Sequence, residues 1–272
     1  MRVFLTGSRG KIGSVVDRVL KEAGFEVVGF DLKDGDDMLD AASVEKAMSG
    51  CDAVAHLARV MGRAADEIVF AGAAAGMWHV LQAAERHGIG RVVSYSSVNA
   101  MGLFMGEDEP DFLPIDESHP CRPRRAYGMS KFLGEETCRL FTRRSGMSTI
   151  CIRPPAVWVD ADVERMKKSR SDDPSFEWTP YWEYGCFIHV EDLARATLRA
   201  LTCDEPGHEV LLVNASDVSS AELTSRELAQ KLLPNVEWRG GPEYETEPYR
   251  ALMDTSKARR VLGWEPQFRW RP

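Results

Sequence analysis

Along the first two thirds of the chain, short β-branched or apolar runs alternate with stretches whose apolar positions recur at helical spacing. That alternation predicts βαβ units feeding a parallel sheet. Residues 3–5 read as a first strand, 12–23 as a helix ended by Gly24, and 25–30 as a second strand closing on Asp31. A short helix over 43–49, capped by Asp40 or Ser43, precedes a third strand over 53–57. Residues 67–87 predict a long helix stopped by Gly88, and 91–95 a fourth strand. Pro, Asp, Glu and Gly gather over 102–125, predicting a long loop of the kind that covers sites. A helix over 126–145 and a strand over 149–153, stopped by Pro154 and Pro155, complete this part.

From 156 to 185 the alternation stops and Trp158, Trp178, Trp182 and Tyr184 accumulate, which suits a separate lobe with an aromatic core. Residues 187–190 predict a returning strand, 191–201 a helix and 209–214 another strand. Beyond Ser219 the pattern holds one clear helix and an end rich in Pro and Trp. The chain has 272 residues, 44% of them hydrophobic, enough to bury one large α/β domain or a domain with a lobe.

Three further features narrow the partners. A first strand directly after Met1 leaves no room for a leader, and no apolar run approaches the roughly 18 residues of a membrane span, so a cytoplasmic location is expected. A net charge of −8 disfavours nucleic acid, whose phosphates call for clustered cations. The six cysteines form no CxxC pair and no Cys/His group at zinc spacing, so they read as reduced, mostly buried thiols, with no metal site.

Directly after the first strand comes TGSRGKIG, with Gly7, Gly10 and Gly13 three residues apart ahead of a helix. A tight turn, a close backbone approach and a helix N-terminus with free N–H groups together suit a pyrophosphate. Asp31, 18 residues past Gly13, ends the second strand, where a carboxylate accepts from both ribose hydroxyls of NAD and repels the 2′-phosphate of NADP. NAD is therefore the expected cofactor, with nearby Lys33 softening the discrimination. The expected fold is α/β: a Rossmann-type doubly wound parallel sheet with a small C-terminal substrate lobe. Residues 1–155 and 186–203 are assigned to the NAD-binding domain, and 156–185 with 204–272 to the lobe.

Tyr127 and Lys131 stand four apart in AYGMSK, on one face of a predicted helix. A phenol, with a pKa of about 10, is a poor base near neutrality; a neighbouring ammonium and a cationic nicotinamide favour its phenolate. YSSVNAMG follows the fourth strand, which brings Ser96 and Ser97 to the C-terminal sheet edge where open α/β folds bind ligands.

TGxxGxxG, the acid ending strand two, DAVAHLA, the serine pair followed by Gly102, YxxxK and the strand ending in Arg153-Pro154 together resemble the extended short-chain dehydrogenase/reductases, the NAD-dependent epimerase/dehydratase group. FIHVEDLARA and DTSKARRVLGWEPQF extend the likeness down the chain. The resemblance implies an NAD-dependent oxidoreductase with Ser97, Tyr127 and Lys131 as its catalytic set, Lys131 also binding the nicotinamide ribose. It implies cofactor contacts from Gly7, Arg9, Gly10, Lys11, Ile12 and Gly13, from Asp31, from Asp37 and Met38 beside the adenine, from His56, Leu57 and Ala58, and from Pro154. One departure is Ala73, which stands where many members carry an asparagine that supports a water-mediated proton relay. Related enzymes often dimerise through the helix bearing the tyrosine, so a homodimer is expected.

The lobe is short for a nucleotide-sugar site, whereas the compact hexuronate dehydrogenases have a similar length and an arginine matching Arg153 that would grip a carboxylate bidentately. Ser97, Asn99 and Arg153 are thus the expected substrate contacts, and a sugar or sugar acid the expected substrate. Val98-Asn99 departs from the Asn-His pair of those enzymes, and the Thr-Asp-Glu style triplet of the dehydratases is absent around Ser97. Arg122, Arg124 and Arg125 read as a solvated loop, and His189 as hydrogen-bonded within the fold. An epimerase that retains its NAD is the enzymatic alternative; an NAD-binding regulatory protein is the alternative from another class.

Overall fold

Strands that are apolar at nearly every position need cover on both faces, and the chain supplies it with helices. In the computed structural model, which describes residues 1–59, 65–104, 106–173, 183–205 and 207–271, six parallel strands form the main sheet in the order β2-β1-β3-β4-β6-β9. They are β1 (Arg2–Thr6), β2 (Glu26–Phe30), β3 (Ala53–His56), β4 (Arg91–Tyr95), β6 (Ser148–Arg153) and β9 (His208–Leu212). Alternate side chains feed two cores. Val3 and Leu5 face α1 (Gly13–Glu22), α6 (Val190–Thr202) and α9 (Ser256–Leu262). Phe4 faces α2 (Ala41–Met48), α3 (Asp66–Arg86) and α4 (Ala126–Ser145). The short α2 is capped by Asp40, whose carboxylate accepts from the N–H groups of Ala42 and Ser43.

Strand order reverses between β1 and β3, so the crevice of this doubly wound, Rossmann-type sheet opens above that pair. Two small parallel pairs complete the architecture: β5 (Phe112–Leu113) with β10 (Glu237–Trp238), and β7 (Ala156–Trp158) with β8 (Phe187–His189). With α5 (Asp160–Asp172), α7 (Ser225–Leu232) and α8 (Glu243–Thr246) they build the lobe. Trp158 stacks on Phe187 at 4.5 Å between ring centroids, and Trp270 joins them. Tyr184 packs in the neighbouring cluster. Trp178 and Trp182 lie outside the described residues.

The division of the chain differs from expectation at 204–272. Those residues do not all belong to the lobe: β9 pairs with β6 in the main sheet, and Ala258, Leu262 and Trp264 are buried in the core beneath β1. The polar helix α5 and the two-residue strands β5 and β10 carry too little periodicity to be read from sequence. The cysteines are all free; Cys51, Cys138, Cys151 and Cys186 are buried, Cys121 and Cys203 partly so. No described helix is long and apolar enough to cross a membrane.

Candidate active site

The glycine loop closes on itself and on the end of β3. Gly7 has φ +72°, and a Cβ there would lie 3.0 Å from the amide nitrogen of Ala58. A Cβ on Gly13 would sit 2.0 Å from the Gly7 carbonyl oxygen, so this backbone crossing admits only glycine. Ile12 leads into α1 without side-chain capping and the first helical turn carries no acid; Ser14 N donates to Gly10 O and Val15 N to Ile12 O, so what the helix start offers an anion is its positive pole at Gly13. The Asp31 carboxylate accepts from Arg9 N at 2.9 Å and from Lys33 N at 3.0 Å. Each oxygen keeps a further lone pair for a ribose hydroxyl. Lys33 Nζ donates to the Arg9 carbonyl, and Lys11 donates to Val157 O at 3.0 Å and pairs with Asp162. Asp37 caps the turn at Leu39 N, and the buried Met38 thioether occupies the space a Cβ on Gly76 would need. These residues therefore fit a dinucleotide, with the glycine crossing and the uncapped helix end as the structural test.

At the end of β3, Thr6 Oγ1 accepts from Leu57 N and Ala58 N, both at 3.1 Å, and lies 2.8 Å from His56 Nδ1. With two acceptances made, the Thr6 hydroxyl hydrogen goes to Nδ1, so His56 carries its proton on Nε2. Burial, reinforced by the charge of Lys131, lowers the His56 pKa to about 3 and keeps the ring neutral. A cavity of about 20 Å³ beside it is lined by His56, Ala73, Ser96, Lys131 and Glu135. At Ala73 only a methyl group borders this cavity, with no polar atom to replace the expected amide.

Ser96 and Ser97 follow β4 on opposite sides of the backbone. The Ser97 hydroxyl oxygen accepts from both Asn99 N and Asn99 Nδ2 at 3.2 Å, which leaves its hydrogen without an acceptor among the described residues. Asn99 Oδ1 is buried and likewise unpartnered. Gly102, at φ +75°, lets the chain turn beneath Arg122, where a Cβ would meet the Arg122 carbonyl oxygen at 2.3 Å. Gly128 allows the first turn of α4 to rest on the Asn99 carbonyl, a Cβ there falling 2.5 Å from it. That contact seats Tyr127 beside the Ser97 turn. Lys131, one turn on, donates to Tyr95 O at 2.7 Å with its ammonium 5.8 Å from the Tyr127 ring centroid. Arg59 lies 5.7 Å from the same centroid. Pro154 accepts from Val98 N at 3.2 Å, joining the ends of β4 and β6.

Arg153 does not sit as a substrate contact. It is 4% exposed, and its Nε and Nη2 each donate to Glu135 at 2.7 Å, so the carboxylate it was expected to take from a ligand comes from the chain itself. Burial opposes its charge, but Glu135 outweighs burial and holds the guanidinium charged. Ser96 Oγ donates to the same carboxylate at 2.5 Å. Nor are the loop arginines simply solvated: Arg122 pairs with Asp111, and Arg124 with Asp108 at 2.9 Å. His189 Nε2 lies 3.1 Å from Asp160 Oδ1. No group of three or more potential metal ligands occurs among the described residues. Sequence reasoning placed Ser96 at the sheet edge without a role and passed over Arg59, Thr6 and Glu135. Glu135 did carry a signal, standing four residues past Lys131 on the same helix face.

A glycine crossing at the switch point, an acid ending β2 and a tyrosine flanked by cations beside a serine turn define a dinucleotide-dependent oxidoreductase. The profile of the NAD dependent epimerase/dehydratase family matches residues 3–170, and the chain belongs to that family. It is similar to a uronate dehydrogenase of Pseudomonas syringae pv. tomato, 27% identical over 77% of this chain and 73% of that one. It is also similar to a UDP-glucose 4-epimerase of Corynebacterium glutamicum, 24% identical over 98% and 91%. Among solved structures, a short-chain dehydrogenase/reductase superfamily protein from Agrobacterium tumefaciens with bound NAD superposes with a TM-score of 0.73 at 22% identity, over 99% of this chain and 94% of that one. The protein is an NAD-dependent enzyme of the epimerase/dehydratase family.

Proposed function

We propose that this enzyme oxidises a hydroxyl group of a sugar or sugar acid, with Tyr127 as acid/base and Ser97 as hydrogen-bond donor to the reacting oxygen. The observation that carries the reading is Tyr127 itself, flanked by Lys131 at 5.8 Å and Arg59 at 5.7 Å and seated beside the Ser97 turn. Both cations lie against the ring whose hydroxyl exchanges a proton with the substrate oxygen. The uncommitted hydrogen of Ser97 and the unpaired Asn99 Oδ1 give a substrate hydroxyl one donor and one acceptor. NAD, when bound, supplies the hydride acceptor. Gly7, Arg9, Gly10, Lys11, Ile12 and Gly13 would hold its pyrophosphate and Asp31 its ribose hydroxyls. Asp37 and Met38 would lie by the adenine, with His56, Leu57, Ala58, Lys131 and Pro154 along the remainder.

Replacing Tyr127 with phenylalanine removes the hydroxyl and keeps the ring. Turnover should fall by about 10²–10⁴-fold while NAD affinity is largely retained; unchanged turnover would remove Tyr127 from the chemistry. Absorbance of NADH distinguishes this reading from an epimerase, which turns over without accumulating reduced cofactor.

A homodimer through α4 accompanies this reading, supported by exposed Met129, Leu133 and Leu140 on one face of that helix. We assign the enzyme to the cytoplasm, where six free thiols stay reduced.

A further inference from the structure

The backbone that leads to Arg59 is anchored on the glycine crossing. Thr6 Oγ1 accepts from Leu57 N and Ala58 N, both at 3.1 Å, and Gly7 packs so closely on Ala58 that a Cβ would lie 3.0 Å from its amide nitrogen. Arg59 therefore leaves β3 from a fixed point at the reversal of strand order, and its long side chain reaches across the crevice to α4. There the guanidinium stands 5.7 Å from the Tyr127 ring centroid. Arg59 also borders the cavity of about 20 Å³, together with Ser96 and Lys131.

Its charge has no answering acid. The chain holds 42 acids against 34 lysines and arginines, so acid partners are plentiful, and the neighbouring cations have taken them. Arg153 is held by Glu135, Arg122 by Asp111, Arg124 by Asp108 and Lys11 by Asp162. Lys131 donates to Tyr95 O. No described acid pairs with Arg59, which is exposed. The face of an aromatic ring takes up none of the guanidinium's five N–H donors, and all of them remain for a ligand. An arginine held against the acid/base ring without a counter-ion is arranged for an anion that arrives with that ligand.

Two anions could arrive, the pyrophosphate of the dinucleotide and an acidic group of the substrate. The pyrophosphate is provided for at the glycine loop, by the positive pole at Gly13 with Arg9 and Lys11 beside it in the sequence. Arg59 stands instead against Tyr127, where the proposed reading seats the reacting sugar. A sugar that meets Ser97 and Asn99 Oδ1 with one hydroxyl would carry its other substituents within reach of the guanidinium. The planar fork matches a carboxylate bidentately, the role that Arg153 does not fill because Glu135 already occupies it.

We infer that Arg59 binds a carboxylate of the substrate and so selects sugar acids over neutral sugars. The inference rests on the proposed oxidation of a sugar hydroxyl and names its substrate class. The test sets galacturonate and glucuronate against galactose and glucose, with wild type, Arg59→Met, which keeps the aliphatic stem, and Arg59→Lys, which keeps the charge. NADH formation, calorimetric sugar binding to the NAD-loaded protein and NAD affinity are measured. Wild type should favour the uronates by about tenfold to a hundredfold in kcat/KM and in affinity, the range of a charge-assisted pair of hydrogen bonds. Arg59→Met should bring that ratio to about one, chiefly through the uronate KM, while NAD affinity is retained. Arg59→Lys should fall between the two. A wild-type preference for aldoses, or a ratio that survives in Arg59→Met, overturns the inference. So does a loss of NAD affinity as large as the loss of uronate affinity, which would assign Arg59 to the pyrophosphate. Absence of NADH from all four sugars would instead overturn the proposed oxidation, and the calorimetric ratio still decides the role of Arg59.

Discussion

Burying a carboxyl group makes the folded chain bind a proton more tightly than the unfolded one unless a cation offsets it, and Glu183, which pairs with no cation among the described residues, is such a group. Its folded pKa is about 7 against 4.5 for a free glutamate, with desolvation as the cause and the Ala156 N–H opposing it. Cys186 is the titratable neighbour that its charge reaches. Because the folded value is the higher one, the stability it contributes is complete below the unfolded pKa and is lost as pH rises through the folded pKa. The difference is on the order of 3 kcal/mol. Glu183→Gln cannot ionise, so its melting temperature should gain on wild type between about pH 5 and about pH 8. A difference that stays flat across that range would mean the wild-type carboxylate is solvated or paired. At the same scale, Arg153 shows where reading residues one at a time fails. Its position at the end of a strand suggested a ligand contact, and nothing local reveals that Glu135, 18 residues earlier, takes both nitrogens.

Helix α4 joins several roles by face. Tyr127, Lys131 and Glu135 recur every four residues toward the sheet edge, while Met129, Leu133 and Leu140 lie on the outer face at 39%, 44% and 49% exposure. Large aliphatics exposed along one stripe suit a covering surface, and the two-fold pairing of α4 proposed above would supply it with the same stripe from a second copy. Leu133→Glu should convert a dimer into a monomer in light scattering while leaving the inward face, and NAD binding, intact. A wild-type chain that is monomeric at micromolar concentration would remove the pairing. Elements like α4 were legible because their apolar periodicity and glycine stop signals are local. The strands of the main sheet were legible because burial on both faces demands nearly unbroken apolar runs such as Val3–Leu5. The pair β5 and β10 was not, since Phe112 finds Glu237 across more than a hundred residues and each strand offers only two positions.

At the scale of the whole molecule, sheet and lobe are tied by the final stretch of chain, which explains why dividing them by sequence position failed. Asp192, buried in the first turn of α6, accepts from Gln267 N at 2.7 Å and Phe268 N at 2.8 Å, and Trp264 Nε1 donates to its carbonyl at 3.1 Å. Asp217, after β9, accepts in the same way from Trp270 N and Arg271 N, both at 3.0 Å. Trp264 completes the core under β1, while Trp270 completes the aromatic cluster of the lobe with Trp158 and Phe187. The segment therefore closes two cores at once, and losing either indole costs about 3–5 kcal/mol. Against a total stability of about 5–15 kcal/mol, loss of both leaves little margin. Removing 264–272 should abolish cooperative unfolding of sheet and lobe alike, whereas the full chain should melt in one transition, with far-UV circular dichroism and tryptophan fluorescence coincident. A truncated chain that melts within a few degrees of the full one and still binds NAD would show that the sheet stands independently, and that the tail merely covers it.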